Sequence, residues 1–244
     1  GEGWRGRGGG GVGDAPAARV GVEGVGAAGG GEGEEGGGRG GKRKGGCGGA
    51  QGVAVRHAGR AVLNWGDIST RGFHATKLFH TIEGGAIITN DDELARKVHL
   101  LCNFGIVDVD KIDGIGINAK LNEFSAAMGL CLLDDIENIL QERAEIAHRY
   151  TTRLGDYVDL QKTEDNSELN NSYYPIALAD EQQLLRLRSA LNTNGINPRR
   201  YFYPSLDTLE YLQPQAAQTA SRSLSERVLC LPIYPGLQPD EQQQ

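Results

Sequence analysis

Apolar positions along the chain change period several times. Over Asp91–Cys102, Leu94, Val98 and Leu101 recur at helical spacing. Asn90 stands ready as an N-cap, Asp91, Asp92 and Glu93 fill a first turn where the helix dipole favours anions, and Gly105 offers a stop. A longer helical pattern starts at Leu121 and runs through Phe124, Met128 and Leu132. After an expected break at Asp134-Asp135 it continues through Ile136, Ile139, Leu140, Ile146 and Tyr150 to Gly155. Glu142, Arg143 and Glu145 fall among its polar positions and read as a solvated face. A further helix follows an Asp180 cap through Leu184, Leu185, Leu187 and Leu191 and closes at Gly195.

Between these lie extended stretches. Ala86–Thr89 has strand composition, and Tyr173–Leu178 reads as a strand in which Pro175 marks an edge or irregularity. Ile196–Pro204 and Val228–Ile233 are further extended pieces, which makes the last part of the chain an α+β unit. Val107–Ile117 reads as a solvated polar loop with three aspartates, whose spacing matches no EF-hand.

Composition separates the start of the chain from the rest. Roughly half of the first fifty residues are glycine, so residues 1–46 are expected to be disordered: the backbone entropy is high and few apolar side chains offset it. The RGRGGGG and GGRGGKRKGG pieces faintly resemble RGG-type RNA-binding tails, but Trp4 alone supplies a stacking ring. A net charge of −7 argues against a nucleic-acid or membrane-surface partner, and no apolar run nears the about 20 residues that span a bilayer. The N-terminus lacks the apolar core of a signal peptide. Cys47, Cys102, Cys131 and Cys230 show no CxxC spacing and read as reduced thiols of a cytoplasmic protein, with Cys131 and Cys230 packing as small hydrophobes. His74, His80 and His99 have no partners at metal-ligand spacing, so no metal is expected.

Candidate chemistry centres on Gly72–Thr89, GFHATKLFHTIEGGAIIT, where Lys77 is set among Phe73, Ala75, Leu78 and Phe79. An ordinary lysine in a loop lies at the surface. Desolvation among such neighbours instead favours the free amine, which a nucleophilic or Schiff-base lysine requires.

The FHATK and EGGAIITND wording resembles the cofactor-lysine motif of the DegT/StrS family of pyridoxal-phosphate-dependent sugar-nucleotide aminotransferases. Three other blocks resemble the family in the same order: Val62–Thr70 (VLNWGDIST), Gly114–Leu130 (GIGINAKLNEFSAAMGL) and Val228–Leu237 (VLCLPIYPGL). The resemblance runs from about Gly48 onward. It implies a partial aspartate-aminotransferase-like large domain, class α/β, over residues 47–150, with a small α+β domain over 151–244 and the long helix linking them. It implies that Lys77 holds pyridoxal 5'-phosphate, that Gln51 lies beside the cofactor ring, and that Asn118 crosses a homodimer interface to the partner's cofactor phosphate, although a lone asparagine before a helix also serves as a cap. Arg199, Arg200 and Tyr201 could approach the diphosphate or sugar of the substrate, a surface role being the alternative for at least one of the arginines. The implied reaction moves an amino group, commonly from glutamate, to a nucleotide-linked 4-keto-6-deoxy sugar, giving a 4-amino-4,6-dideoxy sugar for O-antigen or a similar glycan.

Two positions depart from the family. Gly48 stands where an aspartate normally pairs with the pyridine nitrogen, and Gly72 stands where a serine normally binds the phosphate. Only a glycine-rich tract and one hairpin precede Lys77, where the family has a much longer half-domain. The alternative expectation is therefore a non-catalytic member able only to associate with a partner subunit.

Overall fold

The computed structural model describes residues 19–22, 46–49, 51–212 and 218–243. Strands β1 (Arg19–Val22), β2 (Gly46–Gly48), β3 (Arg56–His57), β4 (Arg60–Ala61), β5 (Ile68–Gly72) and β6 (Gly85–Thr89) precede helix α1 (Asp92–Cys102). A hairpin of β7 (Ile106–Asp108) and β8 (Lys111–Ile112) leads to α2 (Glu123–Asp134) and α3 (Ile136–Leu154). The last part holds β9 (Asp159–Leu160), β10 (Ser167–Glu168), β11 (Tyr174–Ala177), α4 (Glu181–Thr193), α5 (Thr219–Arg227) and β12 (Val228–Leu231).

One sheet has the order β1-β6-β5-β2. Its β2–β5 pair is parallel, with Gly48 opposite Thr70, while β6 runs antiparallel to both of its neighbours. The parallel pair sends the ends of β2 and β5 to the same sheet edge, the edge where α/β proteins bind ligands. A second sheet, β12-β11-β9, is antiparallel throughout. A third joins distant parts of the chain: β10 pairs with β3 of the β3–β4 hairpin, with Ser167 opposite His57.

Two hydrophobic clusters hold these layers. Phe73, Leu78, Phe79, Ala86 and Ile139 form one. Ile146, Ala147, Tyr150, Tyr174, Ile176, Leu178, Leu184, Leu229 and Leu237 form the other. Helix α3 feeds both, Ile139 into the first and Ile146 into the second, so the boundary expected between 150 and 151 falls inside a continuous helix.

Several local expectations shift. The cap of α1 is Asp91, one residue beyond Asn90: its carboxylate accepts from the Glu93 and Leu94 amides at 2.9 and 3.0 Å. The break at Asp134-Asp135 is present, with Asp135 standing between α2 and α3. Asp180 caps α4 through the Gln183 amide. Pro175 lies in the central strand β11, but pairing with β9 starts only at Ile176, so its missing donor interrupts no ladder on that side. The expected polar loop is the β7–β8 hairpin, in which Asp108 faces Lys111. Phe124 is 87% exposed rather than core, Cys131 is exposed rather than packed, and Arg143 is buried rather than solvated. The disorder expected over 1–46 lies outside the described residues except at Gly46 in β2 and at Arg19–Val22, which pairs along the open edge of β6. No helix among the described residues is long and apolar enough to cross a membrane.

Candidate functional site

Strand β5 ends at Gly72, and the chain then makes a closed loop before returning as β6. The loop is tied at its neck: the Phe73 amide donates to the Gly84 carbonyl at 2.8 Å, and the Thr81 amide donates to the Phe73 carbonyl at 2.9 Å. Thr81 Oγ1 donates to the Glu83 carbonyl at 2.6 Å. The Phe73 and Phe79 rings meet edge to face with centroids 4.9 Å apart, a favoured aromatic geometry. Leu78 and Phe79 turn into the core. Lys77 is thereby held half-buried, its amide donating to the His74 carbonyl at 2.9 Å.

Two glycines permit this closeness. A Cβ at Gly84, where φ is +151°, would stand 2.5 Å from Thr81 Oγ1 and 2.7 Å from Leu121 Cδ1. A Cβ at Gly129 would stand 2.9 Å from Thr81 Cγ2, so α2 rests directly on the loop.

Lys77 opens onto a cavity of about 1520 Å³. Thr76 and His80 flank Lys77 on the loop side, and Ile139 and Arg143 face in from α3. Tyr173, Arg199 and Tyr201 close the far side. Arg143 Nε donates to the Asn171 carbonyl at 3.1 Å and Nη2 to the Ser172 carbonyl at 2.8 Å. Burial pushes the Arg143 guanidinium below its usual range, and Tyr173 opposes that shift. Burial pushes the Tyr173 phenol up, with Tyr201 adding to the effect.

The residues expected at the site are only partly brought together. Lys77 lines the cavity, whereas Gln51 and Asn118 are not among its lining residues. Gln51 is half-buried in the turn after β2, and its carbonyl accepts from Asn170 Nδ2 at 2.7 Å. Asn118 is exposed, its Oδ1 accepting from Lys120 Nζ at 2.7 Å. Asn122, not Asn118, caps α2, by accepting from the Ser125 amide. Arg199 and Tyr201 line the cavity and bond to each other at 2.8 Å. Arg200 is instead committed to Glu181 of α4 and the Glu226 carbonyl of α5.

Three residues escaped sequence reasoning. Arg143 was read as solvated. Asn170, 6% exposed, donates to the Gln51 and Val53 carbonyls at 2.7 and 2.6 Å and accepts from the Ser172 amide and hydroxyl. Arg71 of β5 is 7% exposed, its Nε and Nη2 have no partner among the described residues, and burial lowers it to about 10. An arginine inside an otherwise strand-like ISTRG run was the available signal for the last.

A lysine loop springs from the C-terminal end of a parallel strand and opens on a cavity walled by α3 and the C-terminal sheet, an α/β arrangement centred on that lysine. Residues 49–244 match the DegT/DnrJ/EryC1/StrS aminotransferase family, and the chain belongs to it. It is 35% identical over 198 residues to the dTDP-4-amino-4,6-dideoxy-D-glucose transaminase of Shigella dysenteriae, covering 78% of this chain and 54% of that protein. It is 30% identical over 203 residues to the GDP-perosamine synthase of Vibrio cholerae, covering 80% and 54%. Among solved structures, DesI in the presence of its TDP-sugar product superposes with a TM-score of 0.72 at 30% identity, over 80% of this chain and 51% of DesI. A DegT/DnrJ/EryC1/StrS aminotransferase from Brucella abortus gives 0.73 at 25%, over 80% and 53%. The chain thus spans about half the length of the relatives it matches.

Membership of this aminotransferase family implies pyridoxal phosphate as cofactor. The residues present fit its attachment in one respect: a half-buried lysine faces a cavity. They do not supply the ring-nitrogen carboxylate, since Gly48 has no side chain.

Proposed function

We propose that this chain carries the lysine-bearing part of a nucleotide-sugar aminotransferase, with Lys77 as the catalytic amine. The carrying observation is Lys77 itself, half-buried on a loop fixed at both ends and opening on the large cavity. Bound there, pyridoxal phosphate would supply the electron sink for a carbanion at the amino-bearing carbon. Lys77 would hold the cofactor through Nζ, and the same amine, when free, would carry a proton at the amino-bearing carbon of the substrate. Leu78, Phe79 and Ile139 keep water from the base of the loop. The Gln51 turn stands at the same sheet edge, beside the end of β2. The substrate class is a keto sugar on a nucleoside diphosphate, most simply a dTDP-linked 4-keto-6-deoxy sugar, as the names of the relatives support; glutamate is the donor in this reading.

Association of two copies belongs to the same reading. Val109 and Ile115, each 93% exposed, and Phe124, 87% exposed, are large apolar side chains left uncovered at the β7–β8 hairpin, after it and at the start of α2, in the same stretch of chain as the exposed Asn118. Exposed apolar surfaces mark interfaces. A second copy would cover this one and receive Asn118.

Gly48 and Gly72 favour a second reading, a non-catalytic member that retains the fold and the subunit contact. One experiment separates them. The full chain is incubated with pyridoxal phosphate and reduced with borohydride, and the peptide containing residue 77 is weighed. Cofactor mass on Lys77, lost in Lys77→Ala, and formation of 2-oxoglutarate from glutamate with the keto-sugar nucleotide support catalysis. An unmodified peptide supports the non-catalytic reading.

A further inference from the structure

Arg143 is a largely buried cation that pairs with no carboxylate among the described residues. It is 8% exposed, and its Nε and Nη2 are occupied by the Asn171 and Ser172 carbonyls. Those two bonds fix the plane of the guanidinium; Nη1 makes no hydrogen bond among the described residues and, unlike Nε and Nη2 of Arg71, is not sealed off, so it is the nitrogen open to the cavity. Enclosing such a charge without an anion is costly, so a ligand is the natural source of the missing charge.

The surroundings point the same way. In a chain of net charge −7, the cavity wall holds Lys77, Arg143, Arg153, Arg186 and Arg199 against a single acid, Glu241. Arg153, Arg186 and Arg199 are exposed and keep their hydration; Arg143 alone among the four arginines of the cavity wall is buried. Helix α3 also places it near the reactive loop. Ile139, one turn earlier on the same face, packs with Phe73, Leu78 and Phe79 around Lys77.

We propose that Arg143 is the anion-binding residue of this cavity and takes a carboxylate of the amino donor through Nη1. The identity of the anion rests on the aminotransferase reading; the presence of an anion site does not. One free nitrogen suits a single carboxylate oxygen, whereas a diphosphate needs several cations and finds exposed ones at Arg199 and its neighbours.

The test is calorimetric titration of the full chain with 2-oxoglutarate and, separately, with thymidine diphosphate. Saturable 2-oxoglutarate binding is expected, weakened about tenfold or more in Arg143→Gln, as befits loss of a charged hydrogen bond, and partly recovered in Arg143→Lys. Thymidine diphosphate binding should change little in either variant. Should Arg143→Gln fail to fold, Arg143→Lys is read alone: it keeps the charge but not the fork, and several-fold weaker binding is expected. Absence of 2-oxoglutarate binding to the unmutated chain, or equal binding by the variants, overturns the proposal. A loss confined to thymidine diphosphate overturns the carboxylate assignment. Borohydride retention of pyridoxal phosphate on Lys77 in Arg143→Gln is read in parallel, so failure of the cofactor reading is told apart from failure of the anion site.

Discussion

Replacing Asn170 by alanine tests the joint between the early turn and the C-terminal segment. The side chain is 6% exposed and makes four hydrogen bonds: two donated to the Gln51 and Val53 carbonyls at 2.7 and 2.6 Å, and two accepted from the Ser172 amide at 3.0 Å and hydroxyl at 2.8 Å. A net bond is worth about 0.5–1.5 kcal/mol, and an orphaned buried group costs about 1–3 kcal/mol. Gln51 and Val53 are only half-buried, so water recovers part of what their carbonyls lose. The sum comes to about 3 kcal/mol, measured as a shift in urea midpoint at unchanged slope. Hydrogen exchange adds the location: amides of residues 51–57 and 167–172 should lose protection, while Ile176 and Leu229 in the second cluster keep theirs. Asn170→Asp is the sharper variant. It keeps both acceptors but removes both donors and sets a carboxylate against two carbonyls, so it should be worse than alanine. A loss below about 1 kcal/mol for alanine, or an aspartate variant as stable as the parent, refutes this account of the joint.

Three other outcomes follow from particular contacts. Gly84→Ala puts a Cβ at 2.5 Å from Thr81 Oγ1 with φ at +151°, and should cost about 1–3 kcal/mol in chemical denaturation. Gly72→Ser meets nothing within 4 Å; it should raise stability by about 0.5 kcal/mol, since glycine weakens a strand, and should slow loss of pyridoxal phosphate on dialysis. Asp207 is held at about 2 by the Gln218 amide, then by the Ser205 hydroxyl, with Arg222 assisting. Its folded value lies below the unfolded one near 4, so its support for the start of α5 is full above about pH 4 and is lost as pH falls toward 2. Amide exchange over 218–223 should report that loss, and Asp207→Asn should abolish its pH dependence.

Local rules carried the reading of the sequence as far as local physics reaches. Periodicity located α1, α3 and α4, and Asp180 was found as a cap because a cap and its amides lie within three residues. Where two neighbouring residues were both capable caps, the pattern chose Asn90 and the backbone chose Asp91, whose extended conformation places its carboxylate under the first turn. Lys77 was legible because most of its surroundings are contiguous: the loop neck, the aromatic pair and Gly84 all fall within Gly72–Gly85, while Gly129 comes from α2.

What stayed hidden depends on chain segments far apart in sequence. Arg143 sits at a polar position of an amphipathic helix, and nothing nearby says that residues 171 and 172 will cover it. Asn170 reaches residues 119 and 117 positions away. Phe124 fails in the opposite sense, since it fits the helical period yet faces outward at 87% exposure. The errors share a cause: periodicity says which face of a helix is apolar, while burial is decided by what arrives to cover it. For Arg143 the covering is a carbonyl pair from the distant connection between β10 and β11, and for Phe124 it is absent among the described residues. Arg143 and Phe124, where pattern and burial disagree, are also where a ligand and a second copy are proposed, which makes such disagreements a guide to where this chain meets other molecules.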